Sequence, residues 1–330
     1  MLQEFMATLL AVLVFFFVHG ELLPAQKFLQ TATSIKVPHP FQPPLYNHYY
    51  MVNPGQSVAV VFLPGMGESS LKYYDIFENL RLQNTTYYGW DHIGQGFSSH
   101  LLPQELIKVH IDSFDTYLTA IQAFLKKLRT QHRKVIVIGH SMGAHLAVRA
   151  AAENPGLIDA LILSAPLFDI HPTLRTGAVL TWLLSLFPDS SYPPLYSFFV
   201  KKNIKNGWVT NSVEKQEEFQ KTLTLYPELK RQGATLGWLR AARESVGKLK
   251  QLNFKSLHAP VLLLQADTDY LVDNSAQDWA CSQLPKCQKE VMKNSKHEIL
   301  FEVDAVRNLA FEKMRLFITS LNETNKAASL

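Results

Sequence analysis

One stretch of the chain, Val135–Ala151, has the residue types and spacing of a nucleophilic serine site. Its sequence VIVIGHSMGAHLAVRAA places Ser141 inside the pattern Gly-x-Ser-x-Gly, after a β-branched apolar run and before a helical pattern of small residues. A serine at such a strand-to-helix turn is lifted clear of the sheet edge. The N–H of Met142, at the start of the helix, can donate to an oxyanion. The pattern predicts Ser141 as the nucleophile of an acyl-transfer reaction.

A serine nucleophile needs a base and a carboxylate that orients the base. Where the serine lies in a Gly-x-Ser-x-Gly turn between a strand and a helix, these residues follow in the chain order serine, acid, histidine. The apolar strand Val261–Gln265 is followed by three aspartates. We predict that Asp269 is the acid and keep Asp267 as the alternative. Asp273 is expected to cap the next helix, because aspartate favours that position.

The base is expected on the loop after the last strand, whose end we place at Glu290–Lys293. That loop contains His297, which follows His258 as the only later histidine. His258 precedes the strand that carries the acid, so its position is wrong for the base. His140 is adjacent to the serine and is expected to pack or hydrogen-bond away from its hydroxyl. Three further histidines are expected on the surface or in loops: His92, His100 and His110.

A second oxyanion donor is expected in the glycine-rich turn Leu63–Glu68, which follows the first clear strand. The N–H of Met66 is the predicted donor. The spacing of glycines fits neither a dinucleotide-binding turn nor a P-loop. The next turn, Asp91–Gly96, is expected to be a structural loop beside the site.

These residues require a scaffold, and the rest of the chain alternates strand and helix patterns. Near-continuous apolar strands between helices are typical of a parallel sheet covered on both faces. The predicted strands are Ser57–Leu63, Thr85–Trp90, Val135–Gly139, Ile158–Leu163 and Val261–Gln265. The predicted helices are Lys72–Leu82, Ser113–Thr130, Gly143–Glu153 and Ala305–Leu321. A proline-studded segment, with Pro38, Pro40, Pro43 and Pro44, is expected to be extended.

The alternation stops between residues 167 and 253, which are aromatic-rich and show no clear strand pattern. We predict a helical cap, or lid, over the active edge of the sheet. This divides the chain into a core of residues 21–166, a cap of 167–253 and a second core part of 254–330. The alternative is additional core helices. The aromatic residues are Trp182, Phe187, Tyr192, Tyr196, Phe198, Phe199, Trp208, Phe219, Tyr226 and Trp238.

Composition narrows the function classes. The 330 residues are 47% hydrophobic and 18% charged, which allows a large core, and the formal net charge is only +4. Neither an arginine-rich tract nor a zinc spacing is present, so nucleic acid is not an expected partner. Cys281 and Cys287 are too few for a disulfide framework. They pair in one short loop if the protein is exported, or remain ordinary thiols.

The N-terminus begins with an apolar run, Met6–Val18, whose length suits the core of a signal peptide. Glu4 and the lack of a basic residue before the run fit that pattern poorly. We expect residues 1–20 to be a signal peptide or membrane anchor, with an exported or membrane-associated protein. The alternative is a buried N-terminal helix.

Taken together, the motifs resemble the α/β-hydrolases that include the monoacylglycerol lipases and the bacterial lysophospholipases. The matching segments are LPGMGESSLKYY, GWDHIGQGFSS, VIGHSMGAHLA, LILSAPLFDI, TLGWLRAARES, VLLLQADTDYLVD and SKHEILFE. The resemblance implies an α/β-hydrolase fold, a doubly wound and mostly parallel sheet with a helical cap insertion. It implies that Ser141, Asp269 and His297 are the catalytic triad and that Met66 and Met142 supply the oxyanion N–H groups. This chain departs from the family at Pro64, where a histidine is frequent.

The resemblance also implies a carboxylic ester hydrolase that needs neither a metal nor an organic cofactor. The expected substrates are single-chain glycerolipids, a lysophospholipid before a monoacylglycerol. Apolar stretches in the predicted cap, Leu180–Leu186 and Tyr192–Val200, could admit an acyl chain or touch a membrane surface. Lysines after them could meet phosphate headgroups: Lys201, Lys202, Lys205, Lys248, Lys250 and Lys255. The alternatives are an inactive lipid-binding homologue and a peptidase.

Overall fold

The central element is an eight-stranded sheet, mixed at one edge and parallel elsewhere. The computed structural model describes residues 22–40, 42–174, 184, 186–194 and 207–327, with side chains as far as residue 321. The strand order is β1-β2-β4-β3-β6-β7-β9-β10. The first two pairings, β1 with β2 and β2 with β4, are antiparallel, and the remaining ones are parallel. The strands are β1 Thr33–Pro38, β2 Tyr46–Val52, β3 Val58–Leu63, β4 Thr85–Asp91, β6 Lys134–His140, β7 Ala160–Ser164, β9 Val261–Ala266 and β10 Cys287–Met292. Two short strands, β5 Lys108–Val109 and β8 Gly233–Ala234, pair outside the sheet.

Helices cover both faces of the sheet, as the continuous apolar strands predict. Alternate residues of β6 supply the two cores: Val135 and Val137 point to one face, and Ile136 and Ile138 to the other. The helices are α1 Pro24–Thr31, α2 Ile76–Leu80, α3 Phe114–Gln131, α4 Met142–Glu153, α5 Val213–Leu225, α6 Leu236–Lys250, α7 Asn274–Gln283 and α8 Asp304–Ala327. Side chains of α3, α4, α6 and α7 belong to the first core, and those of α1, α2 and α8 to the second. This doubly wound arrangement confirms the predicted fold class.

The helix predicted at Lys72–Leu82 is wrong in extent. Residues Ser70–Tyr73 form a 3₁₀ turn, and only Ile76–Leu80 are α-helical. Arg81 ends that helix in the left-handed conformation, with φ of +45°. The apolar spacing of this segment reflects two short turns buried against the sheet, which a helical period alone does not separate.

The antiparallel edge of the sheet was not predicted. The proline-studded segment was expected only to be extended, whereas it contributes β1 and the turn into β2. Pro38 closes β1 at the outer edge, where a missing N–H costs no ladder bond. The two-residue strand β8, inside the predicted cap, also went unrecognised, since two residues carry no period.

Between β7 and β9 the described chain contains α5 and α6. The segments Leu180–Leu186 and Tyr192–Val200 and the lysines 201, 202 and 205 fall wholly or partly outside the described residues. The apolar N-terminal run, 6–18, also lies outside them. Across the ranges that are described, we find no helix with the length and apolar character needed to cross a bilayer.

The two cysteines form a disulfide, Cys281–Cys287. It joins the last turn of α7 to the first residue of β10. Of the alternatives that the sequence leaves open, the structure has the short loop disulfide.

Candidate active site

The turn that carries Ser141 has the strained geometry expected of a nucleophile between a strand and a helix. Ser141 lies between β6 and α4 as the N-cap of the helix, with φ of +51° and ψ of −113°, in a region that residues other than glycine rarely occupy. Its N–H donates to the Ser164 carbonyl oxygen, and its carbonyl oxygen accepts from the Leu167 N–H. These two bonds to β7 and the loop after it hold the turn in place.

Two glycines make this turn sterically feasible. A Cβ atom on Gly139 would lie 2.5 Å from the backbone of Ala144, and one on Gly143 would lie 2.1 Å from the Leu63 carbonyl oxygen. No side chain fits at either position, because real Cβ atoms essentially never approach so closely. The glycines thus serve the close packing of α4 against β3 and β6.

The structure brings Ser141, His297 and Asp269 into one hydrogen-bonded chain. The Ser141 hydroxyl lies 2.9 Å from His297 Nε2, and His297 Nδ1 lies 2.7 Å from Asp269 Oδ2. All three residues are at least 90% buried. This is the geometry in which an imidazole accepts a proton from the hydroxyl while a carboxylate fixes its tautomer.

The charges around His297 favour its protonated form. Burial alone would lower its pKa, but Asp269, Glu298 and Glu68 raise the pKa above its ordinary value. The pKa of Asp269 is lowered: burial acts to raise it, but His297 and two backbone N–H groups outweigh the burial. Those donors belong to Leu271 and Val272. Asp269 is therefore an ionised partner for an imidazolium.

The other two aspartates lie elsewhere. Asp267 bonds to Lys293 and to the Asn294 N–H at the surface, away from the imidazole. Asp273 accepts from the Ser275 N–H and caps α7, as predicted. Position after the strand predicts Asp269 as the acid, and of the three aspartates it is Asp269 that bonds to His297.

The turn Leu63–Glu68 is held by side chains that leave one N–H available. The Gly65 N–H donates to Glu68 Oε2 at 2.8 Å, and the Gly67 N–H donates to Gln95 Oε1 at 2.9 Å. Among the described residues, nothing accepts from the Met66 N–H between them. The Met142 N–H, first in α4, likewise has no partner one turn earlier. Both predicted oxyanion donors thus remain free to bind an oxygen.

Two residues that support this turn were missed in the sequence. His92 lies in the loop after β4, as the loop prediction allows, but it is buried there, and its Nε2 lies 3.1 Å from the Pro64 carbonyl oxygen. Burial lowers its pKa to about 4, so it is neutral and donates to that oxygen. Gln95 also donates to the Gly65 and Glu68 carbonyl oxygens. Their place in the turn Asp91–Gly96, predicted to be a structural loop beside the site, was the available signal.

The remaining histidines lie where their predictions allow. His140 points away from the serine: its Nδ1 lies 3.2 Å from the Ser164 carbonyl oxygen. His110 lies in the loop after β5, as the loop prediction allows, and it is buried, with its Nδ1 2.8 Å from the Thr235 hydroxyl. His100 lies in a loop, as expected, and contacts Arg231.

A groove of about 440 Å³ opens beside the residues that follow β7. It begins at Asp169, two residues after Leu167, whose N–H bonds to Ser141. Its apolar lining residues are Ile170, Leu174, Leu184, Leu236, Leu239 and Val246. Its lining also includes the cations Arg240, Arg243 and Lys250. The groove suits a ligand with an apolar chain and a negatively charged group.

Comparison with known proteins agrees with this architecture. Residues 56–304 match the family model described as "Serine aminopeptidase, S33". Lysophospholipase L2 of Escherichia coli is 28% identical over 80% of this chain and 81% of its own. Human monoglyceride lipase is 24% identical over 83% of this chain and 87% of its own. A structure of monoglyceride lipase from Saccharomyces cerevisiae covers 88% of this chain and 95% of its own, with a TM-score of 0.68 and 16% identity.

The family match includes every part of the site: the oxyanion turn, the Ser141 turn, the aspartate loop and the histidine loop all fall within residues 56–304. The structural likeness shows the same overall fold. The chain therefore belongs to the serine aminopeptidase S33 family of α/β-hydrolases.

Proposed function

We propose that this protein is a serine hydrolase that releases the fatty acid of single-chain glycerolipids, with lysophospholipids as the favoured substrates. The observation that carries the proposal is the hydrogen-bonded chain Ser141–His297–Asp269 beside two available N–H groups. Asp269 and the two N–H donors, of Met66 and Met142, complete the parts that ester hydrolysis needs.

The proposed mechanism has two half-reactions, and His297 acts in each first as a base and then as an acid. His297 Nε2 takes the proton of the Ser141 hydroxyl as its oxygen attacks the ester carbonyl carbon. The Met66 and Met142 N–H groups bind the oxyanion of the tetrahedral intermediate. His297 then protonates the departing glycerol oxygen, which leaves an acyl-serine. Water attacks that ester as His297 takes one of its protons, and His297 then returns the proton to the Ser141 oxygen as the fatty acid leaves.

The groove supports a lysophospholipid over a neutral lipid. A single acyl chain suits the apolar lining residues, and the lining cations would attract a phosphate. Lys250 is paired with Asp169 at 2.6 Å, and Arg240 is paired with Asp189. A phosphate in the groove would therefore compete with these two carboxylates for their cations. Lysophospholipase L2 and monoglyceride lipase are the names of the relatives, which is consistent with an acyl-glycerol substrate.

The same proposal assigns residues 167–253 a cap function and residues 1–20 an export or anchoring function. Exposed apolar side chains near the described part of the cap, Leu174, Leu186 and Phe187, would suit contact with a membrane surface. The Cys281–Cys287 disulfide supports an oxidising compartment. N-terminal sequencing of the protein recovered from its native cell tests export, since an intact Met1 in the cytosolic fraction would contradict it.

The activity test compares wild type with Ser141→Ala on lysophosphatidylcholine and monooleoylglycerol, with release of oleate measured. Ser282→Ala, a substitution at the far end of α7, is the matched control and should behave as wild type. We expect serine-dependent release that is faster from the phospholipid. Faster release from monooleoylglycerol would make the protein a monoacylglycerol lipase.

The family description also names a peptidase activity, and a third substrate tests this alternative. Alanine p-nitroanilide, which offers a free amine and an amide bond, is assayed beside the two lipids. Serine-dependent cleavage of the anilide without release from either lipid would replace the lipase proposal. Ser141 labelling by a fluorophosphonate with no turnover of any of the three substrates would leave the nucleophile and remove the lipid assignment.

A further inference from the structure

A buried network of three charged side chains lies beside the candidate site. Lys72 Nζ is 2.7 Å from Glu68 Oε1 and 2.8 Å from Glu298 Oε1. The Lys72 side chain is 6% exposed, and those of Glu68 and Glu298 are 10% and 13% exposed. Burying such a group costs desolvation energy that its pairing only roughly returns. Stability alone is therefore a weak reason for its presence.

Each carboxylate belongs to a different half of the site. The second oxygen of Glu68 accepts the Gly65 N–H, in the turn that presents Met66. Glu298 follows His297 directly in the chain, and its own N–H donates to the Val209 carbonyl oxygen. The Lys72 ammonium thus bridges the turn of the oxyanion donor to the loop of the base.

Aromatic rings fix the bridging ammonium from other directions. Lys72 Nζ lies 4.4 Å from the ring centre of Phe301, 5.3 Å from Tyr73 and 5.7 Å from Phe219. The Tyr73 hydroxyl also donates to Glu68 Oε1 at 2.8 Å. A desolvated ammonium over aromatic faces is held by both charge and ring attraction. Its position is therefore more closely defined than that of a surface lysine.

We propose that Lys72 is a positioning residue that, through Glu68 and Glu298, keeps the Met66 N–H and the His297 imidazole in register for the reaction of Ser141. The proposal rests on the serine ester hydrolysis proposed above, but it does not depend on which ester is cleaved. Lys72 touches neither substrate nor reacting atoms, and it acts through its two carboxylate partners.

The charges of the network also act on the base, His297. When Glu68 and Glu298 are both ionised, the two carboxylates and the Lys72 ammonium carry one net negative charge, which stabilises an imidazolium. Burial raises the pKa of Glu298, and the attraction of Lys72 opposes that shift. The groups that face His297 are Asp269, Glu298, Glu68, His140 and the Ser141 hydroxyl. Of these, His140 adds no charge near neutral pH, because burial lowers its pKa to about 4 despite the opposing attraction of Glu68.

The first test replaces Lys72 with methionine, which keeps the length and removes the charge. On p-nitrophenyl butyrate we expect kcat to fall roughly 10- to 100-fold with KM within about 2-fold, because misplacement of reacting groups acts on the chemical step. Lys72→Arg, which keeps the charge, should recover most of kcat. Arg129→Met removes an ion pair with Asp159 at the amino-terminal ends of β6 and β7, away from Ser141, and should keep wild-type kcat.

The second test distinguishes a positioning role from a folding defect. It remains informative even if the Lys72→Met protein does not fold. Glu298→Gln keeps the shape and the bond to Lys72 but cancels the net negative charge. We expect the acid limb of the kcat/KM profile to move to lower pH, because the imidazolium loses a stabilising charge. Asp267→Asn, a surface carboxylate near the same loop, should leave the limb in place.

Two results would overturn the proposal. One is a Lys72→Met enzyme whose kcat stays within 3-fold of wild type. The other is a Glu298→Gln enzyme whose acid limb does not move. Failure of the substrate assignment would look different: hydrolysis of p-nitrophenyl butyrate would persist and respond to Lys72, while neither lysophosphatidylcholine nor monooleoylglycerol would be cleaved.

Discussion

At the scale of the residue, contacts with neighbouring groups give chemically identical side chains different roles. Asp267 and Asp269 are two residues apart, yet Asp269 is 7% exposed and bonds to His297, whereas Asp267 bonds to a surface lysine. The two carboxylates therefore have different tasks. Position after a strand end decides which of them turns inward.

Replacing Asp269 with asparagine should lower kcat by roughly 10³- to 10⁴-fold, because the amide no longer fixes the imidazole tautomer or stabilises the imidazolium. Asp267→Asn is the matched control and should keep kcat within about 2-fold. The measurement is kcat for p-nitrophenyl butyrate near pH 8. A large loss in the Asp267 variant with none in the Asp269 variant would exchange their roles.

The activity should fall as the pH drops through the pKa of His297. The base acts in its neutral form, and Asp269, Glu298 and Glu68 favour the charged form, so the acid limb should have an apparent pKa above 6.5. Asp269→Asn should move the residual limb to lower pH. The check is kcat/KM from pH 5 to 9, and a wild-type limb below 6 would contradict the charge argument.

At the scale of the element, α6 is tied to α4 by a buried polar chain. The Ser245 hydroxyl donates to His145 Nε2 at 2.6 Å and accepts from Arg149 at 3.0 Å. His145 Nδ1 donates to the Leu167 carbonyl oxygen, next to the residues that begin the groove. Burial, aided by Arg149, lowers the pKa of His145 to about 3, so this chain stays neutral at His145 above acid pH.

Ser245→Ala should lower the free energy of unfolding by about 1–3 kcal/mol, because His145 Nε2 would be buried without a donor. Urea unfolding followed by fluorescence measures this change. Ser256→Ala, at a partly exposed site in the 3₁₀ turn after α6, is the control and should stay within about 0.5 kcal/mol of wild type. Equal stabilities of the two variants would mean that the polar chain does not hold α6.

The elements differ in how well the sequence predicts them. Strands β3, β6, β7 and β9 are continuous apolar runs, so their existence is predictable, with ends displaced by one or two residues. The antiparallel pair β1–β2 is not, since Tyr46–Val52 is mostly polar and aromatic and pairs through contacts distant in sequence. The same limit applies to the site: motifs identify Ser141 and His297, whereas Gln95 and Lys72 act through partners that only the fold brings close.

At the scale of the whole molecule, the last strand is fixed to the rest by a covalent link. The disulfide closes the loop between α7 and β10, and β10 leads into the loop of His297. Loop closure stabilises mainly by restricting the unfolded chain, and a short loop restricts it less than a long one.

The double variant Cys281→Ser/Cys287→Ser should lose about 2 kcal/mol of stability by that loop-entropy argument. Thermal unfolding gives the loss, and kcat for p-nitrophenyl butyrate should be retained at 25 °C, because the link lies at the opposite end of β10 from the histidine loop. Reduction of the wild type with dithiothreitol should reproduce the same change in stability. An unaltered melting temperature in both experiments would contradict a stabilising link.

The packing at Gly139 and Gly143 has a consequence for how this chain could evolve. Both glycines are required by the contact of α4 with β3 and β6, and neither touches the reacting atoms. A descendant that lost Ser141, and with it any acyl transfer, would still need both glycines in order to fold. The spaced glycine pair therefore marks the packing of the helix on the sheet, and it does not by itself indicate a working nucleophile.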